Sequence, residues 1–319
     1  MIGFHCSHEQ FSPSTLLELV QKAETAGFKA AMCSDHITPW SVRQGHSGHT
    51  WAWLGAAMQS TTIPFGSMAI PGGWRYHPAV LAQAIATLAE MFPDPLRWIA
   101  AGSGEAMNEH VIGQGWPDKE ERNFRLESGV DIMRRLWQGE EITNLSGPVK
   151  TDRARVWSLP LKPPAVYGAA LTPETAYRIG QWADGLLTVQ KPPEELQKMM
   201  TAFHEGGGKE KPVILQMHVS WDETEERARH NAWDQWRNST KGPVASADLV
   251  TPDEFDKACA DTKPEDMDKF VLISPDPKKH IEWIKTYQAM GVEGVYIHNA
   301  GKNQQAFIAV YRDLVLPFL

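Results

Sequence analysis

Residues 2–33 read IGFHCSHEQFSPSTLLELVQKAETAGFKAAMC and hold two apolar runs separated by an amphipathic segment. Apolar residues at helical spacing predict a helix over 13–26. The runs 2–6 and 28–33 are almost wholly apolar, as strands that are buried on both faces are. This stretch therefore predicts a β-α-β unit, in which a helix joins and covers two parallel strands.

The same alternation of apolar runs and amphipathic segments continues to the end of the chain. Further strands are predicted at 64–70, 96–101, 165–170, 184–189, 212–219 and 293–298. Further helices are predicted at 78–91, 120–137, 173–182, 193–204, 223–237, 277–290 and 303–315. Eight strands alternating with helices predict an α/β fold of the (β/α)8 (TIM) barrel type, with a doubly wound open sheet as the alternative.

Two polar segments interrupt this repeat. Residues 138–163, after the fourth strand, are predicted to form an insertion with a small hairpin or loop. Residues 238–276, after the seventh strand, are rich in proline and are predicted to form a second insertion with a short helix near 252–260. Because no linker divides the chain, we expect residues 1–319 to form a single barrel domain.

Composition narrows the class of protein. The net charge of −8 argues against a general affinity for nucleic acid or an anionic membrane surface. Three cysteines without a C-x-x-C pair exclude a disulfide framework and the common zinc ribbons. We find no apolar stretch near the roughly 20 residues that span a bilayer. We therefore expect a cytoplasmic protein that acts on a small-molecule substrate.

Reactive side chains are concentrated where the predicted strands end. The relevant segments are HCSHEQF (5–11), SDHITPW (34–40), PGGWRYHP (71–78), GSGEAMNE (102–109), TVQK (188–191), and the strand ends at His218 and His298. In a (β/α)8 barrel the carboxyl ends of the strands meet at one rim, and the active site lies there. The sequence therefore predicts a catalytic site built from these segments.

Two of these motifs allow more than one interpretation. The glycines of 102–104 let the backbone approach an anion, but Gly-Ser-Gly also forms plain turns and lacks the third glycine of the dinucleotide fingerprint. Asp35 and His36 are adjacent and so point in opposite directions, which leaves His36 facing the pocket. There it can accept a proton at neutral pH, whereas an Asp-His pair could instead cap the next helix.

Histidines at several strand ends raise a metal-dependent barrel hydrolase as the alternative function. These are His5, His36, His218 and His298. Such hydrolases use an H-x-H pair at the end of the first strand, but the spacing here is H-x-x-H, and carboxylates do not complete the ligand set. We therefore expect no metal site. A barrel that binds a cofactor without turnover is a third possibility.

Three motifs in order, SDHITPW, RYHPAVLAQAIATLAEMFPDPLRW and GSGEAMNE, resemble the deazaflavin-dependent glucose-6-phosphate dehydrogenase branch of the luciferase-like flavin oxidoreductases. The likeness extends over most of the chain, through EQFSP, RLESGVDIMRRLWQG and GVYIHNAGKNQQAF. It implies a (β/α)8 barrel, usually homodimeric, of the monooxygenase or dehydrogenase class. Such a barrel holds FMN or coenzyme F-420 (F420) at the strand ends and transfers hydride between that cofactor and an alcohol or sugar.

The resemblance also implies roles for individual residues. His36 would take the alcohol proton, Trp40 would steady the intermediate, Glu105 would supply a proton beside the reduced ring, and Glu9 would be a further pocket carboxylate. The implied cofactor contacts are Asp35, Met68, Ala69, Gly102, Ser103, Gly104, Asn108, Ala170, Leu171 and Thr172. A non-prolyl cis peptide is implied at Met68–Ala69 or Ala69–Ile70.

Departures from the family pattern bear on substrate and cofactor. The phosphate-binding G-G-P of the family is L-T-P at 171–173. Thr188 and Lys191 match one pair of sugar-phosphate ligands, whereas Ser246 and Phe270 stand where the family has a lysine and an arginine. Losing two charged anchors weakens phosphate binding, so we expect a substrate other than glucose 6-phosphate. The altered loop and the acidic chain favour FMN over F420, as in an FMN-using sub-branch.

Overall fold

The computed structural model describes residues 1–319, apart from the side chains of residues 243 and 244. The strands are β1 (Ile2–Cys6), β2 (Ala30–Cys33), β3 (Phe65–Ala69), β4 (Leu96–Ala101), β5 (Ile142–Asn144), β6 (Thr151–Ala154), β7 (Ala165–Ala169), β8 (Gly185–Val189), β9 (Val213–Ser220), β10 (Leu272–Ile273) and β11 (Gly294–Asn299). The helices are α1 (Pro13–Ala26), α2 (Thr50–Ser60), α3 (Pro78–Met91), α4 (Ala106–Glu109), α5 (Lys119–Trp137), α6 (Pro173–Gly180), α7 (Pro193–Phe203), α8 (Glu225–Trp236), α9 (Gly242–Asp248), α10 (Pro252–Ala258), α11 (Pro277–Ala289) and α12 (Gln304–Val310).

Eight of these strands close into a parallel barrel. In order around the barrel they are β1, β2, β3, β4, β7, β8, β9 and β11, and β11 pairs with β1. The (β/α)8 prediction is confirmed, and the open doubly wound sheet is wrong. Every predicted barrel strand lies within two residues of its observed bounds, because each is a short apolar run between clear breaks.

Alternate residues of each strand face opposite sides of the barrel wall. The inward set includes Met32, Leu187 and Tyr296, which form a small buried cluster inside the barrel. Trp98 belongs to this cluster, and its Nε1 donates to Tyr296 Oη at 3.0 Å. A Cβ atom at Gly66 would lie 2.1 Å from the Trp98 ring, so only glycine fits there. The outward set packs against the helices in the larger core.

Both insertions take the predicted form. In the first, β5 and β6 pair as an antiparallel hairpin. In the second, α10 covers the loop after β2, where Asp256 Oδ1 accepts from Ser41 Oγ and Arg43 Nη2, each at 2.8 Å. The second insertion is thereby attached to the loop that carries SDHITPW.

The structure corrects the sequence analysis at two points. Helix α2 was not predicted, because its sequence TWAWLGAAMQS is apolar on most sides and so lacks a clear amphipathic period. Its N-cap is also an unusual one, His49, whose side chain accepts from the Ala52 N–H at 3.2 Å. The implied cis peptide next to Ala69 is wrong, since no described residue follows a cis bond. None of the described helices combines the length and hydropathy needed to cross a membrane.

Candidate active site

Four polar side chains from beyond β1, β2 and β4 form one cluster at the mouth of the barrel. His36 Nε2 lies 3.3 Å from Glu9 Oε1, and His36 Nδ1 lies 3.0 Å from Asn108 Nδ2. The same amide nitrogen donates to Glu105 Oε2 at 3.2 Å. The predicted acid and base residues therefore lie together, at the end of the barrel where active sites occur.

Asn108 sets the proton position on His36. The backbone N–H of Ile37 donates to Asn108 Oδ1 at 3.0 Å, which identifies the other amide atom as the nitrogen. That nitrogen is a donor, so His36 Nδ1 must accept. Neutral His36 consequently carries its proton on Nε2, which faces the carboxylate of Glu9.

Glu9 is held as an anion beside this ring. Its Oε2 accepts from Ser7 Oγ and Ser34 Oγ, each at 2.8 Å. Burial alone would raise the pKa of the Glu9 carboxyl, but nearby His36 and His5 and these hydrogen bonds outweigh it, and the pKa lies below its usual value. A fully buried carboxylate of this kind stabilises a positive charge on His36.

Glu105 is shifted in the opposite direction. Burial raises the pKa of its carboxyl above the usual value, against the opposing effect of His36, and the charge of Glu9 raises it further. The pKa values of two carboxyl groups near one imidazole are thus shifted in opposite directions, that of Glu9 downward and that of Glu105 upward. Such a separation is typical of sites that need both a base and an acid.

Trp40 forms the apolar side of the cluster. Its ring centroid lies 5.0 Å from that of His36. On its far side, Phe255 of α10 packs edge-on at 5.2 Å, and Phe255 itself is buried. The second insertion therefore holds the indole against the imidazole and limits access of water to it.

Asp35 faces away from His36, as the alternation of side chains predicts. It accepts from Arg75 Nη1 and Nη2 at 3.3 and 3.2 Å and from Tyr76 Oη at 3.2 Å. The other side of Arg75 meets Glu109, whose Oε1 lies 3.6 Å from Arg75 Nε. Burial raises the pKa of Glu109 to about 7, although Arg75 opposes this. This buried network supports the loops on which His36 and Asn108 lie.

Glu109 should give protein stability a specific pH dependence. Its folded-state pKa of about 7 exceeds the ordinary value of 4.5, so folded protein keeps a proton that unfolded protein has lost between these pH values. The free energy of unfolding should therefore fall by up to about 3 kcal/mol as pH rises through this window. Glu109→Gln should remove that component.

Urea unfolding at pH 5 and pH 7.5 measures this effect as the difference between wild type and variant. The buried histidines act in the opposite direction but are present in both proteins and cancel. Glu120→Gln, at an exposed position on α5, is the matched control. Equal pH dependence in wild type and Glu109→Gln would contradict the assignment.

Comparison with known proteins identifies the family. The model of the luciferase-like monooxygenase family matches residues 2–294. The chain belongs to the luciferase-like monooxygenase family. This luciferase-like protein is accordingly an oxidoreductase of that class.

Its relatives share nearly its whole length. The F420-dependent glucose-6-phosphate dehydrogenase of Nakamurella multipartita is 33% identical over 326 residues, covering 99% of this chain and 96% of the relative. The enzyme of the same name from Beutenbergia cavernae is 32% identical, covering 100% of this chain and 97% of the relative. The sequence-based preferences for FMN and against glucose 6-phosphate find no support in these relatives.

Two solved structures are also similar. An F420-dependent secondary alcohol dehydrogenase in complex with an F420–acetone adduct has 25% identity and a TM-score of 0.90, with 100% of this chain and 99% of that chain covered. The F420-dependent tetrahydromethanopterin reductase of Methanopyrus kandleri has 20% identity and a TM-score of 0.77, with 99% and 98% covered. The second likeness concerns the fold alone.

The other predicted site residues of the luciferase-like protein divide into two groups. Met68 occupies an inward position of β3, and Gly102, Ser103 and Gly104 follow β4 at the mouth. By contrast, Ala69 and Ala170 lie in the core between barrel and helices. Their cofactor contacts stay predictions, but in this structure their side chains are buried away from the mouth.

Not all of the predicted ligand-binding residues after β7 and in β8 point toward the mouth of the barrel. Leu171 is exposed, and Thr172 is the N-cap of α6, with Oγ1 accepting from the Thr175 N–H at 3.3 Å. Thr188 lies opposite Leu215, which belongs to the core between the barrel and the helices. Its Oγ1 is fully buried and has no hydrogen-bond partner. Lys191 is partly exposed. The structure therefore brings Lys191 to the surface beyond β8 and directs Thr188 toward the helices.

The β4 side of the mouth is formed largely by glycine backbone. A Cβ atom on Gly102 or Gly104 would come within 3.2 or 3.1 Å of Ile70, so Ile70 packs directly against the backbone of these glycines. Gly104 has φ +82°, a conformation that glycine adopts without strain. Ser103 and Glu105 remain partly exposed beside them. The backbone amides here, the Ser103 hydroxyl and the Glu105 carboxyl are groups that can hydrogen-bond to a flavin or deazaflavin ring.

Sequence reasoning missed the residues that orient the others. Arg75 between Asp35 and Glu109 was noted only as a strand-end residue, and Gln10 was not singled out. Gln10 follows Glu9 directly and is just as buried, at 1% exposure. A polar pair that continues from a buried strand into a loop was the available signal.

Proposed function

We propose that this protein is an F420-dependent dehydrogenase that oxidises a secondary alcohol, either free or within a sugar or sugar phosphate. The observation that carries the proposal is the setting of His36, whose proton position is fixed by Asn108 and whose far side faces the anionic Glu9. The F420-dependent relatives support the choice of cofactor. Ser103, Gly104, Glu105 and Met68 would hold the ring.

His36 acts as the base. When bound, F420 would supply the acceptor for the hydride that leaves the alcohol carbon. The hydroxyl proton passes to Nδ1, the unprotonated nitrogen of His36, in place of the hydrogen bond from Asn108. Glu9 Oε1 keeps the hydrogen bond from Nε2 throughout and stabilises the resulting imidazolium. This ion pair forms only as charge develops, so it stabilises the transition state more than the ground state.

Asn108 returns the ring to its starting form. Once both ring nitrogens carry protons, Asn108 Nδ2 and His36 Nδ1 are two donors facing each other at 3.0 Å. That arrangement disfavours the imidazolium after the product has left, and the proton is released. Burial raises the pKa of the Glu105 carboxyl above its usual value, which favours a role as the proton donor beside the ring.

The test is F420 reduction by the purified protein, followed by loss of the oxidised cofactor's absorbance. Cyclohexanol, 2-propanol and glucose 6-phosphate are the substrates, and FMN replaces F420 in the control. We expect reduction of F420 with at least one substrate and none of FMN. Tight co-purification of FMN together with no reduction of F420 would overturn the proposal.

The homodimer, the cytoplasmic location and the single domain stay predictions from the sequence. The binding of a sugar phosphate by Thr188 and Lys191 stays a prediction as well. Comparing glucose with glucose 6-phosphate in the same assay measures whether the phosphate contributes.

A further inference from the structure

Three histidines at the top of the barrel interior take no part in the proton chemistry proposed above. His298 pairs with His218 on neighbouring strands, and both follow the inward positions of Tyr296 and Ile214. His5 occupies the corresponding inward position on β1, and its ring lies 4.8 Å from that of His298. Together these three rings form a floor beneath the mouth, which we call the histidine floor.

The histidine floor adjoins the cluster around His36. The charge of Glu9 acts on both His36 and His5. Gln10, the next residue, bonds to the floor instead. A substrate whose reacting hydroxyl meets His36 therefore has the histidine floor within the same mouth.

A chain of hydrogen bonds fixes the protons on the histidine floor. Gln10 Nε2 donates to the carbonyl oxygen of Ala300 at 2.7 Å, which identifies the other amide atom as the oxygen. That oxygen lies 2.9 Å from His298 Nε2, so His298 donates from Nε2. Its Nδ1 must then accept, and the donor is His218 Nδ1 at 2.8 Å.

His218 is consequently left with an unprotonated Nε2. This nitrogen makes no hydrogen bond within the described part of the chain, and it is not one of the fully buried polar atoms that lack a partner. The residue is 8% exposed, so its ring is not wholly buried. Burial lowers the pKa of His218 to about 3, which keeps the ring neutral at any ordinary pH.

His5 presents the complementary group. Its Nδ1 is sealed without a partner, and a buried N–H without an acceptor is the costlier arrangement. The proton therefore belongs on Nε2, which is not among the sealed atoms. A donor on His5 and an acceptor on His218 thus lie in the histidine floor on either side of His298, whose ring is 4.8 and 5.1 Å from theirs.

We propose that His218 and His5 bind a second hydroxyl group of the substrate, one that is not oxidised, so that the enzyme prefers polyols or sugars to simple alcohols. A hydroxyl both donates and accepts, which matches an acceptor beside a donor. The inference rests on the proposed function for the hydride transfer, and it adds the substrate class. Gln10 is a positioning residue that acts through His298.

The first experiment compares His218→Phe with wild type on cyclohexanol, the vicinal and non-vicinal cyclohexanediols, and glucose 6-phosphate, with F420. We expect the best hydroxyl-bearing substrate to lose its advantage over cyclohexanol, the ratio of their kcat/KM values falling about 10- to 100-fold. The affinity for F420 should not change in parallel. His204→Phe, at an exposed position beyond α7, is the matched control and should keep the wild-type ratio.

The second experiment does not depend on turnover. Nitrogen-15 NMR of the histidine rings should show His218 Nε2 unprotonated in the wild type. Adding a cyclohexanediol or glucose 6-phosphate should shift this signal toward its hydrogen-bonded position, and cyclohexanol should not. Gln10→Met should mix the tautomers of His298 and His218 and weaken the response.

Distinct results separate this inference from the proposed function. If no alcohol reduces F420 but the diol still shifts His218 Nε2, the proposed function fails and polyol binding stands. If alcohols are oxidised but His218→Phe lowers kcat/KM equally for cyclohexanol and every diol, the inference is overturned. A protonated Nε2 in the wild type, or no shift with any hydroxyl-bearing probe, also overturns it.

Discussion

Replacing His36 with alanine is expected to lower kcat for F420-dependent alcohol oxidation about 100- to 10,000-fold, the range for loss of a positioned base. Binding of F420 should hardly change, because His36 bonds to Glu9 and Asn108 and not to Ser103, Gly104 or Met68, which would hold the ring. Steady-state kinetics and fluorescence titration with F420 measure the two quantities. Added imidazole should restore part of the activity by entering the space left by the side chain.

The matched control for His36 is His46→Ala. His46 is exposed in the same loop, and its described hydrogen bond is made by the backbone N–H to Glu9, which alanine retains. This control should keep wild-type kcat. If His36→Ala weakened F420 binding as much as it lowered kcat, the role as a base would be rejected.

Glu9→Gln is expected to lower kcat up to about 10,000-fold, by analogy with other histidines that lose a carboxylate partner. Gln keeps the size of the side chain but removes the negative charge that stabilises the imidazolium of His36. If its amide nitrogen turns toward His36, it also imposes the wrong tautomer, since Asn108 already donates to the other ring nitrogen. F420 affinity and the folded state should be retained.

Ser34→Ala is the comparison for Glu9→Gln. Ser34 Oγ donates to Glu9 Oε2 at 2.8 Å and accepts from the His8 N–H at 3.1 Å, so the variant removes one of the hydrogen bonds to Glu9 and leaves the charge in place. Its loss in kcat should be less than about tenfold, in keeping with one neutral donor. Equal losses in both variants would mean that the hydrogen-bond network, rather than the charge, supports catalysis.

The barrel could be predicted because its signals are local. Each strand is a short apolar run, and most helices show apolar residues at helical spacing. Both signals lie within about a dozen residues of the chain. The side that a strand residue faces is another matter. Strands buried on both faces have no polar alternation, so nothing in the sequence showed that Thr188 and Ala69 turn toward the helices while Met68 turns inward.

The candidate site was predictable in its members more than in their arrangement. His36, Glu105 and Glu9 follow strands that end at one rim, and the barrel topology alone brings them near each other. The proton position on His36 depends on Asn108, which lies 72 residues away along the chain. The same holds for Gln10 and His298, separated by 288 residues. Such pairings are set by tertiary packing, which no local pattern encodes.

Because α10 is attached to the loop after β2, the candidate site is built from two separate regions of the chain. The strand ends hold the groups that move protons, whereas Phe255 and Asp256 come from a segment outside the repeating barrel. A change of residues in that segment can reshape the wall behind Trp40 without disturbing Glu9, His36 or Asn108. Selectivity can therefore diverge among homologues while the reaction chemistry is inherited intact.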